Sequence, residues 1–198
     1  HARNQGRSMV VLVLGLMVFL GAHSIAIVAP QWRDRMALRL GPQLWRGLYS
    51  VVSLAGFLLL IHGFALARAT PVYWYFPAAG LRAVTRVLML PVFPLLLAAY
   101  LPGRIQAAVK HPMLAAVKLW AFAHLLSNGS AAGVVLFGSV LIWAVADRIS
   151  FKRRPAPPVR GAAPSRWNDL IAIVLGLALY WMFMNWAHLK LIGVAPQG

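Results

Sequence analysis

Six long apolar runs divide this chain, and they constrain its fold more than any other feature. A helix needs about 20 mainly apolar residues to cross the roughly 30 Å hydrocarbon core of a bilayer. The strand-like alternation that a membrane barrel requires is missing from these runs. We therefore predict an all-α fold, a polytopic membrane bundle of six transmembrane helices. The candidate spans are residues 9–29, 45–67, 82–101, 112–127, 130–147 and 168–192.

Residues 1–8 are polar and precede the first apolar run. We interpret them as a tag or an N-terminal extension, and residues 9–198 as one transmembrane domain. The run at 9–29 is too long for a signal peptide and lacks a convincing cleavage site, so we predict that it is retained as a span.

The composition excludes several classes of protein and of site. Hydrophobic residues make up 61% of the chain and charged residues 11%, against about 25% charged residues in a typical soluble domain. The absence of cysteine excludes disulfides, thiolate-bound zinc or haem, and iron–sulfur clusters. The only acids are Asp34, Asp147 and Asp169, which leaves little scope for carboxylate chemistry.

Basic residues dominate the charge, with 19 Lys and Arg and a net charge of +16. They lie between the apolar runs, which favours anionic lipid over nucleic acid as the partner. Most of them lie in the first, third and fifth connections. The positive-inside rule then places these connections in the cytoplasm and both termini on the periplasmic side.

Two connections have unusual composition. Residues 71–77, PVYWYFP, are rich in aromatic residues. They are typical of an interfacial aromatic belt, and the alternative is a lid or lateral gate for a lipid-soluble substrate. Residues 152–166 are basic and rich in proline, which predicts a disordered linker near anionic headgroups.

Small and helix-breaking residues mark two spans. Pro91 and Pro94 predict a kink in the third span, or a widened cavity beside it. A series of small residues on the second span would permit close helix packing. These are Gly47, Ser50, Ser53 and Gly56.

Five histidines lie in or at the edge of the predicted spans, and ionisable residues there are candidate site residues. One interpretation is a set of neutral imidazoles bonded to neighbouring helices. The other is metal binding, since neutral imidazole is a good ligand for iron and copper. The spans contain no thiols and few acids, so haem held by axial histidine is the metal site that requires the fewest other ligands. Helical bundles also bind cofactors between their helices. The five are His23, His62, His111, His124 and His188.

Helix geometry limits the pairing of these histidines but leaves it open. His111 and His124 are separated by roughly 20 Å along one helix and cannot bind the same iron. His111 should lie just before a helix that begins at Pro112. In a simple topology His23 lies toward the cytoplasm, whereas His124 lies toward the outside at a depth closer to that of His188. A tilt of the short fourth and fifth spans would bring His124 closer to His23.

The remaining candidates differ in their surroundings. His188 shares a helix face with Asn185, which could orient its ring. His62, in a run of large apolar residues, is interpreted as a packed core histidine.

Five segments have distinctive sequences: LGLMVFLGAHS ending at Ser24, RLGPQLWRGLYSVVSLAGF at 39–57, KHPMLAAVKLWAFAHLLSNG at 110–129, ADRISFKRR at 146–154 and the C-terminal WNDLIAIVLGLALY. Together they resemble the NnrU family of bacterial membrane proteins. The resemblance implies a link to nitrite and nitric oxide metabolism. The same superfamily includes zeta-carotene isomerase, which implies haem b and redox-dependent isomerisation of a lipid-soluble substrate. It also implies His23 and His124 as the axial ligands, with Ala121 where the isomerase carries cysteine.

The predicted site is therefore a haem b centre that acts on a small or lipid-soluble ligand. His188 and His111 are the reserve ligands. The haem propionates require cations, and for a haem toward the cytoplasmic face these would be Arg33, Arg35 and Arg46.

Two alternatives remain. The segment KHPMLAA is similar to the R-H-P-x-x-x-G motif of membrane methyltransferases that use S-adenosylmethionine. This chain has Ala116 in place of the glycine and lacks the glutamates of those enzymes. The other alternative is a non-catalytic membrane assembly factor.

Overall fold

A computed structural model describes residues 2–154 and 161–196, with residues 2–5 described by their backbone alone. Regular structure within these ranges is helical, apart from an isolated bridge between Tyr73 and Ser130. The helices are α1 (Ala2–Val28), α2 (Pro30–Leu40), α3 (Pro42–Ala69), α4 (Leu81–Met89), α5 (Val92–Ala98), α6 (Arg104–Val109), α7 (Pro112–Ser127), α8 (Ala131–Ser150), α9 (Asn168–Met182) and α10 (His188–Ile192). A π-helical segment, Phe183–Ala187, joins α9 to α10.

The predicted all-α membrane fold is confirmed, with one difference in the number of full-length spans. Five helical segments of the described chain are long and apolar enough to cross a bilayer: Gly6–Val28, Pro42–Ala69, Leu81–Ala98, Ala131–Ser150 and Asn168–Ile192. The sixth predicted span is the shorter apolar helix α7, which has 16 residues. Its rise of roughly 24 Å is less than the full hydrocarbon thickness.

The chain divides into two compact units. The first comprises residues 1–77 and 128–154 and contains α1, α2, α3 and α8. The second comprises residues 78–127 and 155–198 and contains the remaining helices.

Close approach of α1 and α3 organises the first unit. A methyl group on Gly15 would collide with the backbone of Leu60, and one on Gly63 with the backbone of Leu12. Gly56 meets the backbone of Phe19 in the same way. The glycines therefore replace side chains where two antiparallel helices touch backbone to backbone, which is how membrane helices gain packing energy without a hydrophobic driving force.

The small-residue series predicted for the second span is correct at one end only. Gly56 packs against α1, but a methyl group on Gly47 would meet nothing within 4 Å. Gly63, two turns beyond Gly56, takes part instead. The packing register of α1 against α3 decides which glycines are used, and it follows from both helices together.

A break in the third predicted span shapes the second unit. Helix α4 ends at Met89 and α5 begins at Val92, so the predicted kink lies at Leu90 and Pro91. Gly176 of α9 brings its backbone against Pro94, where a side chain would collide. The kinked segment is thus packed by α9. The fully or almost fully buried residues of this unit are small: Ala98, Ala116, Ala121, Ala123, Ala172 and Ala187.

The connection at residues 71–77 is held in place by backbone hydrogen bonds to the start of α8. Trp74 N donates to Gly129 O at 2.8 Å, and Ala131 N donates to Val72 O at 2.7 Å. Phe76 is 82% exposed and Trp74 61%. Exposed aromatic rings on a fixed backbone fit the interfacial belt better than a mobile lid.

The predicted linker is described only in part, because residues 155–160 lie outside the described residues. Residues 161–165 have no regular structure but are anchored. Ala162 N donates to Tyr100 O at 2.8 Å. At the other end Arg154 pairs with Asp147, which is only 9% exposed.

Replacing Gly63 by alanine tests the α1–α3 contact. The added methyl group overpacks a backbone contact, so we expect the free energy of unfolding to fall by about 1–3 kcal/mol. Denaturant titration in detergent measures the change.

Gly47→Ala is the matched control, because it adds the same group to the same helix in open space. It should leave stability unchanged or raise it by up to about 1 kcal/mol. Equal effects of the two substitutions would contradict the close approach.

Candidate functional site

His23 lies in the last two turns of α1 and is fixed by its own helix. Its Nδ1 is 2.7 Å from the carbonyl oxygen of Phe19, one turn earlier. A carbonyl oxygen only accepts hydrogen bonds, so Nδ1 carries the proton. The lone pair of the neutral ring is then on Nε2, the nitrogen that remains for a ligand or a metal.

Aromatic side chains surround the His23 ring on several sides. Its centroid is 4.4 Å from the Phe19 ring, 5.5 Å from Tyr49 on α3 and 5.8 Å from Trp143 on α8, which meets it edge-on. Three helices of the first unit therefore converge on this imidazole. We name the group formed by Phe19, Tyr49 and Trp143 the aromatic cluster.

Trp143 brings an unusual polar atom to this cluster. Its indole Nε1 is buried and has no hydrogen-bond partner among the described residues. A buried donor without a partner costs about 1–3 kcal/mol and requires an explanation, such as a bound molecule or ion.

His124 repeats the local geometry of His23 on α7, in the second unit. Its Nδ1 is 2.8 Å from the carbonyl oxygen of Trp120, and the two ring centroids are 5.2 Å apart. In both helices an aromatic residue stands four positions before the histidine, which explains the ring contact, while the backbone carbonyl of that residue accepts from Nδ1. Both rings thus place the Nε2 lone pair away from the helix backbone.

The reserve ligands also lie in the second unit. His188 begins α10, directly after the π-helical segment, and its Nδ1 is 2.6 Å from Val194 O. His124 on α7 and His188 on α10 belong to the same unit. His111 precedes α7, which begins at Pro112 as predicted.

The predicted pairing of His23 with His124 joins residues of different units. Contacts within either unit do not test it, and it stays a prediction. Asn185 Nδ2 donates to Trp181 O at 2.8 Å, and the expected orientation of His188 by Asn185 stays a prediction.

The interpretation of His62 as a packed core residue is wrong. His62 is exposed on α3, whereas its neighbour Gly63 is buried against α1. Gly63 sets the packed face, and the next residue along a helix points about 100° away from it.

The arginines predicted for the haem propionates lie at the α1–α2–α3 end of the first unit, the end that carries His23. Arg33 already pairs with Asp34 at 2.5 Å. Arg35 and Arg46 are exposed. Among the described residues, no three His, Cys, Asp or Glu side chains come together as a metal site.

Several polar residues position the helices around these histidines, and sequence reasoning missed them. The Thr85 hydroxyl on α4 is 2.9 Å from Ala123 O, one residue before His124. Tyr180 of α9 donates to Arg86 O at 3.0 Å. Lone polar residues in apolar runs are the only sequence signal for such contacts, because hydrocarbon makes unpaired polar groups costly.

Tyr75 lies in the 71–77 connection, outside the spans, and its phenol is partly buried. Its hydroxyl donates to Asn128 O at 3.1 Å, and burial raises its pKa above the ordinary value. The phenol therefore remains a neutral donor through the physiological range.

A family model described as NnrU protein matches residues 11–196. The chain belongs to the NnrU family. No curated protein and no solved structure matches it. The family match covers the spans, both candidate histidines and the aromatic cluster, so these features belong to the NnrU domain.

The tautomers of His23 and His124 can be measured directly. We expect ¹⁵N spectra of the detergent-solubilised protein to show Nδ1–H and an unprotonated Nε2 at both rings, because the Phe19 and Trp120 carbonyls accept from Nδ1. His23→Gln and His124→Gln assign the two signals. An Nε2–H tautomer at either ring would contradict the geometry.

Proposed function

We propose that this NnrU-family membrane protein binds haem b through histidine and acts in redox chemistry on a small or lipid-soluble ligand. The observation that carries the proposal is the shared geometry of His23 and His124. Each imidazole gives Nδ1 to a carbonyl one helical turn away, which is the outer-shell arrangement that orients a metal-ligating histidine and raises its basicity.

The residues near His23 fit a flat, apolar cofactor. Aromatic rings of Phe19, Tyr49 and Trp143 suit contact with a porphyrin, and the unpaired Nε1 of Trp143 offers a donor to a bound group. Neutral imidazole is the donor that haem iron takes most often in proteins. The chain has no cysteine, so a thiolate cannot serve.

His23 and His124 would hold the iron, and His188 and His111 are the alternative candidates. Haem bound here would supply a redox-active iron, and a small ligand could bind that iron only if one of the two histidines left it. The chain's own part would be to orient each ring through its Nδ1 contact and to surround the iron with apolar helices. Arg35 and Arg46, exposed at the His23 end, would meet the propionates.

A bacterial inner-membrane location with periplasmic termini is part of the same proposal. The clustering of basic residues in the odd-numbered connections supports it. A role in nitrite or nitric oxide metabolism, or in isomerisation of a polyene-like substrate, follows from the family resemblance and the proposed iron.

Absorption spectroscopy tests the haem. Protein produced with haem supply and purified in detergent should show a Soret band. We expect His23→Ala and His124→Ala each to lower haem affinity by more than the roughly 10- to 100-fold that loss of an outer-shell partner costs. His62→Ala is the matched control and should retain the band, because His62 is exposed away from the α1–α3 contact.

Other outcomes separate the alternatives. A band that is lost in His188→Ala and His124→Ala but retained in His23→Ala would place the haem within the second unit. A colourless protein that is stabilised by S-adenosylmethionine would contradict the proposal in favour of a methyltransferase. Absence of both signals would favour an assembly factor.

A further inference from the structure

A wide, shallow cleft that is largely open to solvent lies at one end of the second unit. Its volume is about 860 Å³. Helix α6 forms one side and residues 164–166 form the other. Of the histidines considered above, His111 is the one next to this surface, because it follows the lining residue Lys110 in the sequence.

Three cations line the cleft and come from separate places in the fold. Arg104 begins α6, Lys110 follows its last residue, and Arg166 precedes α9. All three are exposed. No acidic residue is among the residues that line the cleft. The cleft therefore attracts anions.

The carboxylate of Asp169, near the start of α9, is bound to the backbone of α6. Asp169 accepts from the backbone N–H of Arg104 at 2.8 Å and from that of Ile105 at 3.0 Å. Asn168 donates to Pro102 O at 2.8 Å and to Ala163 O at 3.0 Å. These bonds join α6 and the 161–166 segment to the start of α9, and the Asp169 carboxylate accepts from backbone N–H groups.

The cleft lies at the level where a membrane helix meets water. It borders the start of the apolar helix α7 and the start of the span Asn168–Ile192. Trp167, which is 54% exposed, lies beside it with the Arg166 guanidinium 5.1 Å from its ring. Tryptophan and arginine in this position are typical of the headgroup region.

Lys110 is held in a strained conformation at the rim. Its φ is 63°, the one positive φ among the described residues other than glycine. Such backbone persists where surrounding contacts enforce it, and it clusters at binding sites.

We propose that this cleft binds the headgroup of an anionic phospholipid, and that a lipid with two phosphates, such as cardiolipin, fits it best. Three cationic side chains can pair with more than one phosphate group. The open volume of the cleft is large enough for the whole headgroup. Basic pockets between transmembrane helices are a recurrent means of binding such lipids. The cleft lies near the start of a span and beside the exposed Trp167, at the level of the lipid headgroups. This position favours a lipid over a soluble anion.

Native mass spectrometry of the full chain tests the proposal, with cardiolipin titrated into the detergent-solubilised protein. The variant Arg104→Gln, Lys110→Gln, Arg166→Gln should bind cardiolipin on the order of a hundredfold more weakly. The backbone bonds to Asp169 remain in this variant. An unchanged melting temperature without lipid would show that it is folded.

The matched control removes three charges elsewhere, as Arg148→Gln, Lys152→Gln, Arg153→Gln, and should retain cardiolipin binding. Equal losses in the two triple variants, or equal binding of phosphatidylcholine and cardiolipin, would overturn the proposal. Displacement of cardiolipin by inorganic phosphate would also overturn it, because it would show a site for a free anion. If the cleft triple variant melts early, the single variant Arg166→Gln repeats the comparison.

Discussion

An imidazole on an apolar helix must satisfy two nitrogens, and its own helix can take only one of them. At His23 and at His124 the backbone carbonyl four residues earlier takes Nδ1. The remaining nitrogen, Nε2, then carries the lone pair of the neutral ring. The proposed haem binding depends on this asymmetry, because Nε2 is the atom that would bind the iron. The aromatic cluster and the unpaired Trp143 Nε1 add a surface and a donor beside one of them.

The packing in each unit serves to bring side chains to these rings. In the first unit, Gly15 and Gly63 let α1 and α3 touch, which carries Tyr49 to His23. In the second, alanines and Gly176 allow α5, α7 and α9 to pack closely, and the Thr85 hydroxyl reaches the carbonyl next to His124. Small residues and isolated hydroxyl groups are the means by which helices associate in lipid. The same residues therefore stabilise the fold and position the candidate ligands.

The sequence predicted the spans, the start of α7 at Pro112 and the break at Pro91, because each follows from local rules of length and of proline geometry. It did not predict α2, whose mixed charged and apolar residues were interpreted as a connection. The π-helical segment before His188 was missed because one added residue in a helical turn leaves no mark on composition. The exposure of His62 and the use of Gly63 depend on the register of α1 against α3, which neither helix specifies alone. The pairing of His23 with His124 depends on contacts between distant segments, so the residues by themselves left it open.

Electron paramagnetic resonance of the oxidised, haem-loaded protein tests the central claim most directly. Two neutral imidazoles on one iron produce a low-spin ferric signal, and the account predicts this signal in the unmodified protein. It predicts conversion to a high-spin signal when either His23 or His124 is replaced, since the iron would then lose one of the two imidazoles that would hold it. A high-spin signal in the unmodified protein, or a low-spin signal that survives both replacements, would contradict the assignment of these two histidines.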